Sequence, residues 1–324
     1  MKKIHERILI FVLISSLCLS FASCGRKTAY TVGICQLQPH PALDAAARGF
    51  KDALTERLGE ENLTFFEQNA QGDATVCTTI VTDFVTRHVD LILANATACL
   101  QAAANGTVTI PVLGTSITEY GAALDIDNFD GLVGGNVSGT SDLAPLDQQV
   151  AMITDLFPDA QTVGLLYCSG EPNSAYQVKV VRELLEAKNI TVTDYSFADS
   201  HDIAAVAAAA ASASDVIYIP TDNTAASCTE AINGAVLPTG TPIIAGEEGV
   251  CLGCGVATLS VNYYDLGVTT GKMAAEILTG EADIAEMEIV YADNFTKKYN
   301  RANCLALGMD ISALEAAGYT AIGE

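Results

Sequence analysis

The amino-acid sequence predicts an α/β protein made of two doubly wound parallel-sheet domains. With 324 residues the chain is long enough for two domains of ordinary size. Half of the residues are apolar but only 6% are aromatic, and a chain rich in Ala, Val, Leu and Ile suits buried parallel strands beside Ala-rich helices. The third observation is an internal repeat, in which one order of strands and helices occurs twice.

The repeat begins with two similar strands, each followed by a polar turn and a helical run. The first strand and helix are predicted at 31–36 and 42–58, and the second pair at 162–167 and 175–188. Three more strands recur in the same order, pairing 63–67 with 190–195, 90–97 with 215–222, and 110–114 with 241–246. Short apolar strands that alternate with helices form parallel sheets covered on both faces, so each half predicts one α/β domain.

The two domains are expected to share one ligand cleft. In doubly wound sheets ligands bind outside the carboxyl ends of the strands, and two facing copies place both sets of strand ends around the same space. The segments that follow the strands are polar, whereas the strands themselves are apolar. The predicted division is a signal peptide at 1–23, a lipidated linker at 24–29, a first lobe at 30–143 plus 262–286, and a second lobe at 144–261 plus 287–324.

The last sixty residues predict chain crossings between the lobes rather than a third domain. A helix running through Met273 to Leu278 is expected to return to the first lobe and to stop at Gly280. The strand at 288–291 and a final helix at 311–317 are expected to belong to the second lobe. Several crossings form a hinge that suits closure over a ligand.

The first residues predict an export signal. Lys2, Lys3 and Arg7 precede an apolar run at 8–21, which is the pattern of a secretory leader. The segment 21–24, Phe-Ala-Ser-Cys, resembles a bacterial lipobox in which Cys24 is acylated, although Leu is usual where Phe21 stands. An ordinary secretory signal cleaved nearby is the alternative, and the run is short for a retained membrane span.

The charge of the chain excludes two classes of partner. The formal net charge is −23, and nucleic-acid binding depends on Lys and Arg contacts with phosphate. The same deficit of basic residues argues against a polybasic patch for membrane surfaces.

Eight cysteines remain beyond the leader and Cys24: Cys35, Cys77, Cys99, Cys168, Cys228, Cys251, Cys254 and Cys304. Their scatter through apolar and helical stretches favours free thiols that act as small core residues. A disulfide between Cys251 and Cys254 is an alternative, and a metal or redox site there is another. No second cysteine pair or histidine pair has the spacing of a structural zinc site, so no metal is predicted.

Five polar loops, in order, resemble those of one family. They lie at 40–44, 69–73, 135–142, 170–174 and 220–224, and they are similar to loops of the ABC-transporter substrate-binding lipoproteins that include tryptophan and tyrosine binders. The resemblance covers about 30–318. Departures are the turn at 117–120, Ile-Thr-Glu-Tyr, together with Glu247, Glu248 and the loop of Cys251 and Cys254.

The resemblance implies the type I periplasmic binding protein fold. It also implies a monomer, lipid-anchored on the extracytoplasmic face of a bacterial membrane, that delivers a small ligand to an ABC permease and ATPase without a cofactor. An amino acid, with aromatic ones among the candidates, is the ligand that the family suggests.

An amino acid requires an anion site and a cation site close together. Helix N-termini supply unpaired N–H groups for a carboxylate, and the predicted helices after two strands begin near Thr97 and Ala98, and near Asn173 and Ser174. By resemblance these four residues are assigned to the α-carboxylate. The alternative is that Thr97 and Ser174 are simple helix caps.

Asp222 is the predicted partner of the ligand ammonium group, because a charge in a closed cleft requires a counter-charge. Its alternative role is to cap the helix that begins near Thr224. Gln36 and Gln38 follow the first strand and are expected to orient the ligand, unless they only form the turn in which His40 lies. Ser116 and Asn223 complete the predicted ligand-binding set.

The sequence does not favour an enzyme. The sequence has no Gly-x-Ser-x-Gly elbow, no phosphate-binding glycine loop and no His-Glu-x-x-His motif, so no catalytic residue is predicted. The remaining alternatives are a nucleoside-binding lipoprotein and a ligand sensor that signals to a membrane receptor.

Overall fold

The computed structural model describes residues 29–323, so the leader and Cys24 lie outside the described residues. Two β-sheets, each covered by helices, form two lobes, which confirms the predicted α/β class. The first sheet contains β1 (Tyr30–Gln36), β2 (Leu63–Asn69), β3 (Leu91–Asn95), β4 (Val112–Ile117), β5 (Val137–Ser141) and β11 (Val290–Tyr291). The second contains β6 (Thr162–Cys168), β7 (Thr191–Phe197), β8 (Val216–Ile219), β9 (Ile243–Ala245), β10 (Ala257–Val261), β12 (Phe295–Asn300) and β13 (Thr320–Ile322).

Both sheets have the doubly wound strand order that the repeat predicts. The first runs β11-β5-β4-β3-β1-β2 and is parallel throughout. The second runs β13-β12-β10-β9-β8-β6-β7, and its one antiparallel pair joins β10 to β12. The central strands are buried along their whole length because helices cover both faces.

Helices flank each sheet. Those of the first lobe are α1 (Pro41–Leu58), α2 (Ala74–Thr86), α3 (Thr97–Gly106), α4 (Tyr120–Leu124) and α11 (Tyr263–Thr279). Those of the second are α5 (Leu146–Leu156), α6 (Pro172–Glu186), α7 (Ile203–Ala213), α8 (Asn223–Ser227), α9 (Thr229–Val236), α10 (Glu248–Gly253), α12 (Arg301–Ala306) and α13 (Ile311–Ala316). None of the helices within residues 29–323 has both the length and the apolar character that a membrane crossing requires.

Helix α11 returns to the first lobe and packs against α1 with almost no space between the two backbones. A Cβ atom placed on Gly267 would lie 2.0 Å from the carbonyl oxygen of Ala46, and one on Gly49 would lie 2.1 Å from that of Tyr264. Glycine is therefore required at both positions of this contact. The helix ends at Gly280, whose φ of 74° lies in the left-handed region that favours glycine.

The expected assignment of 287–291 to the second lobe is wrong. Val290 and Tyr291 pair with β5 of the first sheet, and the hydroxyl of Ser138 donates to the carbonyl of Met287 at 2.9 Å. Ile289 is buried in the core of the first lobe. The chain therefore crosses to the second lobe after β11. The strand predicted at 288–291 does form, but it is too short for its sequence to show which sheet it joins.

Three segments connect the lobes: β5 to α5, β10 to α11, and β11 to β12. All eight cysteines of the described residues are free thiols, and seven of them are buried. Cys251 and Cys254 belong to the core of the second lobe, which is the structural role that the sequence favours for them.

Candidate functional site

A narrow cavity lies where the carboxyl ends of the strands in both sheets face each other. Twelve residues line it: His40, Leu43, Ser116, Thr118, Asp142, Asn173, Thr221, Asp222, Asn223, Ala226, Glu247 and Tyr263. Most of them follow β1, β4, β5, β6, β8, β9 or β10 directly. The cavity therefore occupies the position that the topology predicts for a ligand.

The two lobes touch across this cavity. The side-chain amide of Gln38, in the first lobe, donates to the backbone carbonyl of Asn223 in the second. His40 Nε2 lies 3.2 Å from Asn223 Oδ1. The structure therefore shows the lobes in a closed arrangement.

Unsatisfied polar atoms concentrate in the cavity. Within residues 29–323, six buried side-chain nitrogen or oxygen atoms have no hydrogen-bond partner. Four of the six belong to residues that line the cavity, namely His40 Nδ1, Ser116 Oγ, Asp142 Oδ1 and Asn173 Oδ1. Because an unpaired buried polar group costs free energy, such a concentration indicates a place where a polar ligand binds.

Three of these atoms are hydrogen-bond acceptors. The Asn173 amide nitrogen donates to Glu171 and to the Thr221 carbonyl, which leaves its oxygen facing the cavity. The Asn223 amide nitrogen likewise donates to Glu171, at 2.7 Å, so Asn223 Oδ1 accepts from His40. His40 then carries its hydrogen on Nε2 and presents a lone pair at Nδ1, and burial lowers the pKa of this imidazole.

Asp142 supplies the third acceptor. Its Oδ2 accepts a 2.8 Å hydrogen bond from the Tyr263 hydroxyl, while Oδ1 has no partner. Asp142 is only 3% exposed, and this burial raises the pKa of its carboxyl group. Among the twelve residues that line the cavity there is no Lys or Arg. The carboxyl group therefore has no protein cation beside it there.

Glu247 adds a second acidic group to the cavity wall. It caps α10 by accepting from the N–H groups of Gly249 and Val250. Burial raises the pKa of Glu247 to about 7. With Asp142 it makes the cavity complementary to a positively charged ligand group.

Both carboxylate oxygens of Asp222 already accept hydrogen bonds from the protein. Its Oδ2 accepts from the Cys168 N–H at 2.7 Å and from the Ser174 hydroxyl at 2.8 Å, and its Oδ1 accepts from the Ala225 N–H at 2.8 Å. The residue caps α8, which is the alternative role considered from the sequence. Burial raises the pKa of its carboxyl group to about 8.

Glu171 also holds this loop in place, and it was not among the site residues predicted from the sequence. Its two carboxylate oxygens accept from the N–H groups of Asn223 and Thr224, from the Thr224 hydroxyl and from the Asn173 amide. The Glu171 carboxylate therefore already occupies the N-terminus of α8, where a ligand carboxylate would otherwise bind. Glu171 lies in the polar loop at 170–174, but no local sequence pattern shows that its side chain reaches a loop fifty residues later.

The N-terminus of α3 differs, because no side chain caps it. Ala96 has a φ of 92°, a conformation rare for a residue other than glycine, and the helix follows at once with Thr97 and Ala98. Ser116, at the end of the neighbouring strand β4, also has a positive φ of 56°. Unusual backbone conformations at two adjacent strand ends are typical of functional sites.

The predicted site residues divide into two groups. Ser116, Asn173, Asp222 and Asn223 line the cavity, whereas Gln36, Gln38, Thr97, Ala98 and Ser174 do not. Gln36 donates to Asp44 at 2.7 Å and to the Gln38 carbonyl at 3.0 Å, so its amide nitrogen braces the start of α1.

Further lining residues that the sequence analysis did not assign to the ligand are His40, Leu43, Thr118, Asp142, Thr221, Ala226, Glu247 and Tyr263. Asp142 is the last residue of the polar loop at 135–142 and directly follows β5. Its position at the end of a strand was the sequence feature that could have identified it.

Comparison with known proteins identifies the family. A family model described as ABC transporter substrate binding protein matches residues 31–315. The chain belongs to this family. Proteins of this class are solute-binding proteins rather than enzymes, and they work outside the cytoplasm with an ABC transporter.

Three relatives of this ABC transporter substrate-binding protein have similar sequences. A tyrosine-binding protein of Clostridioides difficile is 32% identical over 285 residues, which are 87% of this chain and 82% of the relative. A Streptococcus pneumoniae ABC domain in complex with L-Trp is 30% identical, with a TM-score of 0.85 over 91% of this chain and 100% of that one. A ligand-free, open substrate-binding protein from Clostridium difficile is 32% identical, with a TM-score of 0.69 over the same shares.

Proposed function

We propose that this substrate-binding protein captures an α-amino acid, with an aromatic side chain, and delivers it to the permease of an ABC importer. The observation that carries the proposal is the set of unpartnered buried atoms in the cavity, of which three are acceptors and one is a hydroxyl. An α-ammonium group offers three N–H donors and a positive charge. It therefore complements this set, whereas an anion does not.

Asp142 is the residue that we place against the ammonium group. Its Oδ1 is buried and has no hydrogen-bond partner of normal geometry, and the Thr118 hydroxyl is the neighbouring side-chain donor. A charge-assisted hydrogen bond is strongest where water is excluded. Asn173 Oδ1 and His40 Nδ1 are the further acceptors. Asp222, which the sequence suggested for this role, holds the loop of Asn223 in place instead.

The uncapped N-terminus of α3 does not itself line the cavity, but it adjoins the strand of Ser116, because the Ala96 N–H donates to the Thr115 carbonyl at 3.1 Å. It is the place proposed for the α-carboxylate. Backbone N–H groups at a helix N-terminus bind anions, and Thr97 and Ala98 form the first turn of this ten-residue helix. The Ser116 hydroxyl, which lies beside the cavity without a partner, is the adjacent donor.

Hinge closure is the proposed means of capture. This structure is closer to the tryptophan complex, at a TM-score of 0.85, than to the ligand-free open relative, at 0.69, although the open relative is slightly more identical in sequence. The three proteins share one fold, so the lower TM-score with the open relative is better explained by a different arrangement of the two lobes. The cross-lobe contacts of Gln38 and His40 with Asn223 are the ones that opening would break.

An aromatic side chain is proposed from the relatives, because one is named for tyrosine and another contains L-Trp. Calorimetric titration with the twenty amino acids and with nucleosides tests the assignment. We expect tight binding of an aromatic amino acid and none of its analogue that lacks the ammonium group. Binding of a nucleoside alone would overturn the proposal.

Lipid anchoring at Cys24 is part of the proposal and rests on the lipobox-like segment 21–24. Changing Cys24→Ala should release the protein from membranes in a cell fractionation, because the thiol is the acylation site. The matched control is Cys18→Ala, which removes a leader cysteine upstream of that site. Mass spectrometry that finds a mature N-terminus elsewhere, without lipid, would contradict the anchor.

A further inference from the structure

Three cysteines of the first lobe meet beneath the cleft. Cys35 is the penultimate residue of β1, Cys77 lies in the first turn of α2, and Cys99 lies in the first turn of α3. The Sγ atom of Cys99 is 3.3 Å from that of Cys35 and 3.5 Å from that of Cys77. All three sulfur atoms lie within 4.8 Å of one another, and none of the three residues is exposed.

The sequence gives no sign of this cluster, because its members are separated by 42 and 22 positions and share no motif. The topology brings them together. β1 and β3 are neighbours in the sheet, and α3 follows β3, while α2 packs against both β1 and α3. The thiols thus meet at the carboxyl edge of the sheet. Cys99 lies two residues after Thr97, in the same first turn of α3.

We propose that Cys35, Cys77 and Cys99 form a binding site for a soft, thiophilic ion that takes three sulfur ligands, a trivalent metalloid of the arsenite class. Thiolate is the ligand that soft ions prefer. Within residues 29–323, no His, Asp, Glu or further Cys joins the group. A structural zinc ion takes four ligands, so the trio suits a three-coordinate ion better.

The apolar surroundings of the three cysteines favour an ion whose complex with three thiolates carries no net charge. The three residues belong to the apolar core of the first lobe, where a net charge is costly. Three thiolates around a trivalent centre are neutral. Three thiolates around Cu(I) would leave two negative charges in the same core.

The binding step is a ligand exchange without oxidation or reduction. Arsenous acid carries three hydroxyl groups on trivalent arsenic. Each thiol sulfur forms a bond to arsenic and gives up its proton, and each hydroxyl leaves with that proton as water. Three As–S bonds replace three As–O bonds, and three water molecules are released.

Burial sets the starting state of this exchange. Burial and the neighbouring thiols raise the pKa of the Cys99 thiol well above its usual value, so the exchange starts from thiols rather than thiolates. Because the sulfur atoms are buried, loading requires transient opening of the first turns of α2 and α3, and we expect it to be slow.

The test uses the reduced mature protein, free of oxygen, with arsenite alone as the probe. Arsenite is added both to the folded protein and during refolding, and native mass spectrometry counts the bound arsenic. We expect one arsenic per chain with loss of three water molecules. X-ray absorption at the arsenic edge should show three sulfur neighbours and no oxygen.

The variant pair is Cys99→Ala and Cys304→Ala. Cys99 contacts both other thiols, so its loss should weaken arsenite binding at least 100-fold. Cys304 is an equally buried free thiol in the second lobe, whose Sγ donates to the Val256 carbonyl, and its loss should change nothing. Circular dichroism and thermal unfolding of each variant show that it has folded.

Three results would overturn the proposal. The first is arsenite binding unchanged in Cys99→Ala, and the second is an arsenic atom with oxygen neighbours. The third is displacement of bound arsenite by an equal concentration of Cu(I), which would contradict the charge argument. None of these results depends on which amino acid the cleft binds, so the ligand assignment can fail while this site stands.

Discussion

Asp142 and Asp222 are both buried carboxylates beside the cavity, yet only Asp142 has an oxygen atom without a hydrogen-bond partner. Asp142 Oδ1 has no partner, while both oxygens of Asp222 accept from the protein. Removing one partner of a desolvated charge pair costs about 2–5 kcal/mol. Asp142→Asn should therefore weaken amino-acid binding by roughly 30-fold or more in calorimetry, with little loss of stability.

Asp222→Asn is the matched control for that prediction. It leaves the cavity charge of Asp142 intact but places an amide N–H₂ group against existing donors, so its effect should be a loss of stability of about 1–3 kcal/mol. Its affinity should change much less than that of Asp142→Asn. The reverse order of the two affinities would restore Asp222 as the ammonium partner.

Two of the buried carboxyl groups near the cavity contribute to how stability depends on pH. Burial raises the pKa of Glu247 to about 7 and that of Asp222 to about 8, so folding takes up protons near neutral pH. A raised carboxyl pKa means that stability falls as pH rises through that value. The free energy of unfolding of the free protein should fall by on the order of 1–2 kcal/mol between pH 7 and pH 9.

Chemical denaturation at several pH values measures this slope, and the window avoids the titration of His40, whose pKa burial lowers. Glu247→Gln removes one of the two titrating groups and should flatten the slope. A stability that rises over the same window in the parent protein would contradict the assignment.

At the scale of elements, the contact between α1 and α11 is the tightest helix pair in the first lobe. Gly267→Ala would drive a Cβ atom to 2.0 Å from a backbone oxygen, and overpacking of this kind costs about 1–3 kcal/mol. Thermal unfolding should show the loss.

Gly234→Ala is the control for that substitution. Gly234 lies in α9, is exposed and has nothing within 4 Å of its Cβ position. Alanine there should stabilise the protein by about 0.4–1 kcal/mol, because it restricts the unfolded chain. Equal effects of the two substitutions would show that backbone contact is not what requires glycine at position 267.

The elements themselves were largely predictable, since the strands of the repeat are apolar runs bounded by turns. A strand was also predicted at 288–291, but its lobe was not predictable, because Val290 pairs with Thr140 a hundred and fifty positions away. Asp142 was not predicted as a ligand-binding residue, and the reason is similar. Whether a carboxylate has a free oxygen depends on Tyr263, 121 residues later, and no sequence pattern contains that information.

At the scale of the molecule, closure is the motion to measure. Small-angle scattering of the free protein should give a larger radius of gyration than that of the protein saturated with amino acid, because the hinge brings the lobes together. Replacing Gln38 by Ala removes one of the cross-lobe hydrogen bonds and should shift the free protein further towards the open form. Identical profiles with and without ligand, in both proteins, would contradict a hinged clamp.

The number of segments between the lobes has a topological consequence. Three is odd, so the first described strand, β1, and the last, β13, belong to different lobes. Every crossing must bend when the lobes separate, and a chain that crossed twice would end in the lobe where it began. Because the two ends of the described chain lie on different lobes, the distance between them should change when the lobes open. A pair of dyes attached there would report each closure over a ligand as it occurs.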